Sequence, residues 1–115
     1  MANAHARAAA LDRGLVVLLR NDRSRVDVRN LSGRLIASWP VAAGAAPLLD
    51  ADAGTVVYLA GRSVHELELG RGADRILATA PRGSTLLDAQ IERRYVAYAY
   101  RGGPSGAGRV IVIRR

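Results

Sequence analysis

Apolar residues in this chain come in short runs, and the runs alternate between two kinds. Gly14–Arg20, Thr55–Ala60 and Tyr95–Tyr100 are almost continuously apolar, as strands covered on both faces are. The first two are followed by segments in which apolar and polar positions alternate, Val26 and Val28 between charged neighbours and Ser63–Leu69; Arg109–Ile113 is the strand that follows the third. Such alternation marks a half-exposed strand. Polar or glycine-containing turns separate the runs at Asn21–Ser24, Leu31-Ser32-Gly33, Asp52-Ala53-Gly54, Gly61-Arg62, Gly70–Ala73, Glu92-Arg93-Arg94 and Arg101–Gly108. Arg34–Trp39 ends at Pro40, which has no N–H for a ladder, and Val41–Ala46 reads as a small-residue linker. The pattern predicts about eleven strands in groups of four, four and three. Ala2–Ala10 is the ambiguous stretch. Its alanines favour helix, yet Ala9-Ala10-Leu11-Asp12 aligns with Leu48-Leu49-Asp50, so it reads as a frayed first strand with a short helix as the alternative.

The groups repeat. Leu48-Leu49-Asp50-Ala51 returns as Leu86-Leu87-Asp88-Ala89. The Val-x-Tyr of Val56–Tyr58 returns 40 residues on at Val96–Tyr98, and Val16 lies 40 residues before Val56. A period near 40 in strand-and-turn sequence is produced by stacked four-stranded sheets. The expected organisation is a flexible N-terminal segment over 1–7 and blade-like repeats over 8–40, 47–79 and 85–113, the last incomplete. The fold class is all-β: antiparallel four-stranded blades of a partial β-propeller.

Leu-Leu-Asp-Ala, Val-Val-Tyr-Leu-Ala-Gly (56–61), Val-His-Glu-Leu-Glu-Leu (64–69) and Gly-x-Gly-Ala-Asp-Arg-Ile-Leu (70–77) resemble TolB-like or WD-type β-propeller repeats, over about residues 8–113. The Gly-His start and Trp-Asp end of the WD type are absent, and Trp39 is followed by Pro40. Propellers close with typically about four to eight blades. The resemblance therefore implies the C-terminal part of a larger propeller, or a gene whose start lies upstream of Met1.

Charge changes the picture little at this level. All 17 basic residues are Arg, against ten acidic ones, for a net charge of +7. No three basic residues are consecutive and the Arg residues fall in nearly every turn, so no nucleic-acid-binding stripe is identifiable and nucleic acid is not the favoured partner. The absence of Cys removes disulfides and thiolate chemistry. No apolar run approaches the roughly 20 residues of a membrane-spanning helix. Met1–Ala10 has small-residue pairs like a signal cleavage site but no apolar segment before them. Compartment is thus open, with a secreted or periplasmic location expected only if a signal peptide lies upstream.

Candidate chemistry is sparse. His5 and His65 are the only histidines, and His65 shares a strand face with Ser63, Leu67 and Leu69, which suits a hydrogen-bonded structural role. Asp50-x-Asp52-x-Gly54 lacks the ligands of a calcium loop. Gly103–Arg109 has the outer spacing of a phosphate loop without its Lys or Ser/Thr. Asp12, Asp50 (or Asp52) and Asp88 recur once per unit, which favours a turn-closing role over a ring of carboxylates. No catalytic residue, metal or cofactor is assigned.

Topology supplies one positional expectation. In an up-and-down sheet the connections after second and fourth strands share one end, and these vary in length from two to eight residues by the turns above. Variable loops on a constant scaffold are where recognition sits, which nominates Arg62, Arg82 and Arg101. The expected function is a non-catalytic binding or scaffold module whose partner is a protein or further propeller blades. The alternative is the C-terminal part of a propeller enzyme, a hydrolase or lyase whose active site lies in other blades. Arg109–Ile113 is also expected to leave an unpaired edge open to self-association.

Overall fold

The structure, a computed structural model, describes residues 6–103 and 106–115. Eleven strands follow one another: β1 Ala6–Asp12, β2 Leu15–Arg20, β3 Arg25–Arg29, β4 Leu35–Pro40, β5 Ala45–Asp52, β6 Thr55–Ala60, β7 Ser63–Glu68, β8 Ala73–Thr79, β9 Ser84–Glu92, β10 Tyr95–Gly102 and β11 Arg109–Arg114. They form three antiparallel up-and-down sheets, β1–β4, β5–β8 and β9–β11, each strand pairing with its sequence neighbour. This is the all-β, propeller-blade architecture expected from the repeat. The first strands β1, β5 and β9 neighbour one another, so they form the inner edge, and the sheets fan out from it. An extent of 47 × 28 × 20 Å fits three such sheets side by side.

The alanine-rich start is strand. Ala8, Ala9 and Ala10 lie opposite Leu19, Leu18 and Val17. Helix preference of alanine amounts to a few tenths of a kcal/mol per residue over ordinary residues, less than the ladder and the packing on β2 and β5 supply. Small side chains also suit an inner strand, where the next sheet comes close. At the next junction Ala45, buried at 1% exposure, already belongs to β5, so the connection from β4 is 41–44 rather than the longer linker the alanines suggest.

Alternation sorts each second strand into two faces. Val17 and Leu19 of β2 pack against Val56, Tyr58 and Ala60 of β6, with Val26 and Leu67 closing the cluster. Val57 and Leu59, on the other face of β6, meet Val96, Tyr98 and Tyr100 of β10. Val56 and Val96 are both fully buried, and Tyr58 and Tyr98 occupy equivalent register positions with Leu18, opposite His65, Ile111 and Asp27 respectively. Each fully buried Val is worth roughly 1.5–3 kcal/mol.

The Leu-Leu-Asp-Ala repeat is not structurally superposed. Its copies are 38 residues apart, whereas the strands advance by 40: Asp50 pairs with Val57, while Asp88 pairs with Ala99, two residues beyond the equivalent Ala97. A slip of two keeps Ala51 and Ala89 on the same face, toward the preceding sheet, but the irregularity that skips Leu87 turns Leu86 to that face too, whereas Leu48 faces the following sheet. The residues at corresponding turn positions are Asp12, Asp52 and Glu92, opposite Leu15, Thr55 and Tyr95.

Those carboxylates do not close their own turns. Asp12 accepts hydrogen bonds from the backbone N–H groups of Ala53 (2.9 Å) and Gly54 (2.7 Å), in the β5–β6 turn of the next sheet. Asp52 accepts from Arg93 N–H in the β9–β10 turn at 2.5 Å, and Asp50 from Ile91 N–H at 2.9 Å. Of the expected turn-closing aspartates only Asp88 bonds locally, to Ala89 N–H. Two-residue turns leave their central N–H groups outside the ladder, and Arg13, Ala53 and Arg93 adopt left-handed φ angles of 51, 50 and 53° there. Each of the first two sheets therefore hands a carboxylate to the turn of the sheet that follows it.

Candidate functional site

The connections after even-numbered strands, 21–24, 41–44, 61–62, 80–83 and 103–108, lie at one end of the ladders. At the other end are 13–14, 30–34, 53–54, 69–72 and 93–94. Length varies at both ends, since the second set also includes five- and four-residue connections at 30–34 and 69–72. Part of the longest loop, Pro104 and Ser105, lies outside the described residues, as does His5.

Acidic residues separate the two ends more sharply than length does, whereas arginines lie at both, Arg13, Arg34, Arg71, Arg93 and Arg94 falling in the second set. Five carboxylates, Asp12, Asp52, Glu68, Asp74 and Glu92, sit at strand ends beside the second set of connections. In the first set Asp22 is the one acidic residue, and it is spent on Ser24, accepting from both its backbone N–H and its hydroxyl. Those two bonds hold the Asp22 carboxyl below its ordinary pKa. Arginines at this end include Arg23, Arg62, Arg82 and Arg101.

Arg62, Arg82 and Arg101 are all exposed and all belong to this end. Arg62 is partly engaged: its guanidinium donates to Ala80 O at 2.8 Å, and its carbonyl accepts from Ala80 N–H at 2.8 Å. This bond steers the chain into the 80–83 connection carrying Arg82. That connection rests on the end of β10, where a Cβ added to Gly102 would lie 3.1 Å from Gly83 O. The φ of +85° at Gly102 also belongs to the left-handed region that glycine favours. Arg101 therefore stands immediately beside the loop that carries Arg82. The result is three guanidinium-bearing positions at one end, Arg62 and Arg82 on connections and Arg101 at the end of β10, none of them in a salt bridge of the described residues.

Polar groups elsewhere are consumed by the fold. His65 Nδ1 lies 2.9 Å from Asp74 Oδ1, and its ring stacks on Tyr58 at 4.8 Å. The Tyr58 hydroxyl donates to Asp74 and accepts from Ala42 N–H at 2.9 Å. Burial, reinforced by the bond to Asp74, pushes the Tyr58 phenol well above its ordinary pKa. A buried phenol held protonated ties the 41–44 connection to β8; it is the structural role expected of His65 and its surroundings. Asp27 is similar. Its burial is outweighed by bonds from Arg20 (2.9 Å) and the Ser38 hydroxyl (2.7 Å), which hold its carboxyl below the ordinary value. Sequence reading missed this cluster; an Asp between Val26 and Val28 with an Arg seven residues earlier was the available signal. Among the described residues no group of three His, Asp or Glu is placed to hold a metal ion.

No family model matches the chain, and no curated protein matches it. Solved structures do. The fold is that of propeller blades. One match is KlHsv2 with loop 6CD replaced by a Gly-Ser linker, at TM-score 0.62 and 9% identity, covering 97% of this chain and 40% of that one. Another is the computationally designed Ika4 protein, at TM-score 0.58 and 15% identity, covering 98% of this chain and 94% of that one. The chain thus spans less than half the length of the first match and nearly all of the second. At these identities the likeness is one of fold.

Proposed function

We propose that this chain is a non-catalytic β-propeller module, with TolB-like or WD-type repeats, that binds a protein partner through the end carrying Arg62, Arg82 and Arg101. The observation that supports it is the distribution of carboxylates: five gather beside one set of turns, whereas at the opposite end Asp22 is bonded to Ser24 and Arg62, Arg82 and Arg101 stand outside every salt bridge of the described residues. Guanidinium forks pair with carboxylates in bidentate fashion, so the partner presents an acidic surface or peptide. Nucleic acid fits less well at this end, because single-strand binders stack bases on exposed aromatics, and Tyr58, Tyr98 and Tyr100 are buried while the exposed Tyr95 lies at the opposite end, beside 93–94.

Titration of the isotope-labelled chain with a glutamate decapeptide and, separately, with a thymidine decanucleotide, followed by amide chemical shifts, tests this reading. The peptide should shift resonances around 61–62, 81–83 and 101–103, with the response weakening as salt rises. Arg82→Glu/Arg101→Glu should abolish it. Shifts confined to the 13–14 and 93–94 turns, or a stronger response to the oligonucleotide, would overturn it.

A further inference from the structure

The two outermost sheet faces of the chain carry the two halves of the contact that joins its sheets internally. On the first sheet, Leu11 lies 72% exposed on the face turned away from β5–β8. Beside it the Arg13–Gly14 turn repeats the left-handed geometry of Ala53–Gly54, with φ angles of 51 and 74° against 50 and 82°. In the second sheet that geometry presents two N–H groups to Asp12. On the third sheet, Glu92 stands where Asp12 and Asp52 stand in the sheets before it. On the same face, across β10, Val110 and Val112 are 71 and 64% exposed. A shallow groove of 220 Å³ runs over Asp88, Gln90, Ala97, Ala99 and Val110 on this face. The third-sheet face also carries Asp88, while Arg20 and Arg29 beside the first-sheet face pair with Asp27 of their own sheet.

We infer that a second copy of this chain docks head to tail, its first sheet covering the third sheet of the first copy, with Glu92 accepting from the Arg13 and Gly14 N–H groups. The contact continues the internal one by a further 40-residue step. It is heterologous, so it closes only if the rotation completes a ring. Rings of blades close at typically about four to eight, and six is the only multiple of three in that range, so two copies joined by two equal interfaces are the expected assembly. This goes beyond the proposed binding function, since it uses the side faces and leaves the Arg62–Arg82–Arg101 end free.

Sedimentation velocity of the chain, and of two variants blocked on one face each, tests it. Leu11→Asp blocks the first-sheet face and Val110→Asp/Val112→Asp the third; these positions are exposed, and circular dichroism checks that both variants fold. The unmodified chain should be a dimer and each blocked variant a monomer. An equimolar mixture of the two should recover a heterodimer, because one intact interface then remains. Glu92→Ala should weaken the dimer about tenfold per interface, or roughly a hundredfold for the ring. A monomeric unmodified chain would overturn the inference. So would a dimer that survives Leu11→Asp but not the third-sheet variant, since that pattern belongs to pairing between two β11 edges.

Discussion

Replacing Asp12 with Ala removes a single side chain that bridges two sheets and touches nothing else of consequence in the core. Its side chain is 4% exposed, and it receives two N–H groups of the next sheet at 2.9 and 2.7 Å. Hydrogen bonds to a charged acceptor contribute roughly 1.5–3 kcal/mol each when lost without replacement. Here the donors belong to a surface turn, and water takes over part of the bonding, so the pair is worth about 2 kcal/mol. With a urea dependence near ~1.3 kcal/mol per M for a domain of this size, the unfolding midpoint should fall by about 1.5 M. Asp12→Asn keeps an acceptor but loses the charge, and should fall about half as far. The control is Asp22→Ala, an exposed Asp bonded only to Ser24, which should move the midpoint by under about 0.5 M. All four proteins are compared at one concentration, because association adds stability by mass action. If Asp12→Ala shifts the midpoint no more than Asp22→Ala, the carboxylate does not join the sheets and the reasoning fails.

Further outcomes follow from other contacts. Val96→Asp places an unpaired charge at a position with no exposure and should cost about 3–5 kcal/mol; a cooperatively folding, soluble variant seen by circular dichroism would mean β10 is misplaced. Gly72→Ala sets a Cβ 2.5 Å from the Trp39 ring at a φ of +65°, so thermal unfolding should show a loss of roughly 1–3 kcal/mol. Glu66 accepts from Arg115 Nε at 2.8 Å and Nη2 at 3.0 Å, and these bonds hold its carboxyl below the ordinary 4.5. A depressed carboxyl contributes stability that is present above its unfolded pKa and lost as pH falls through the lower folded value. Denaturation between pH 6 and pH 2 should therefore show a decline on acidification that Arg115→Ala flattens, the gap at pH 6 being on the order of 1–2 kcal/mol.

Much of the fold was legible because each strand type announces itself. Thr55–Ala60 is apolar after Thr55 and buried throughout, and Val96 and Tyr98 could be matched to Val56 and Tyr58 by spacing alone. Alanines at the N-terminus were harder, since their intrinsic preference is for helix and their strand state depends on β2 and β5. The Leu-Leu-Asp-Ala repeat misled by two residues, because alternation fixes the face of a strand but not its register. Asp12 and Asp52 were seen to recur, yet their partners lie 41 residues away in the next sheet, and a carboxylate that bonds a distant turn looks in sequence like one that bonds its own. The gathering of Arg62, Arg82 and Arg101 was legible from up-and-down topology. That none of the three joins a salt bridge of the described residues was not, since arginines spread over every turn look uniform until strand direction assigns each turn to an end.

The central claim is that three sheets repeat at 40-residue steps and stack face to face through the two sides of β6. A methyl–aromatic NOESY spectrum tests it most directly. Val17 and Leu19 methyls should give cross-peaks to the Tyr58 ring, and Val57 and Leu59 methyls to the Tyr98 ring, since each group shares one buried cluster. Both sets together mean that β6 is sandwiched between β2 and β10. Absence of either set, with the strands themselves intact, would contradict the stacked arrangement.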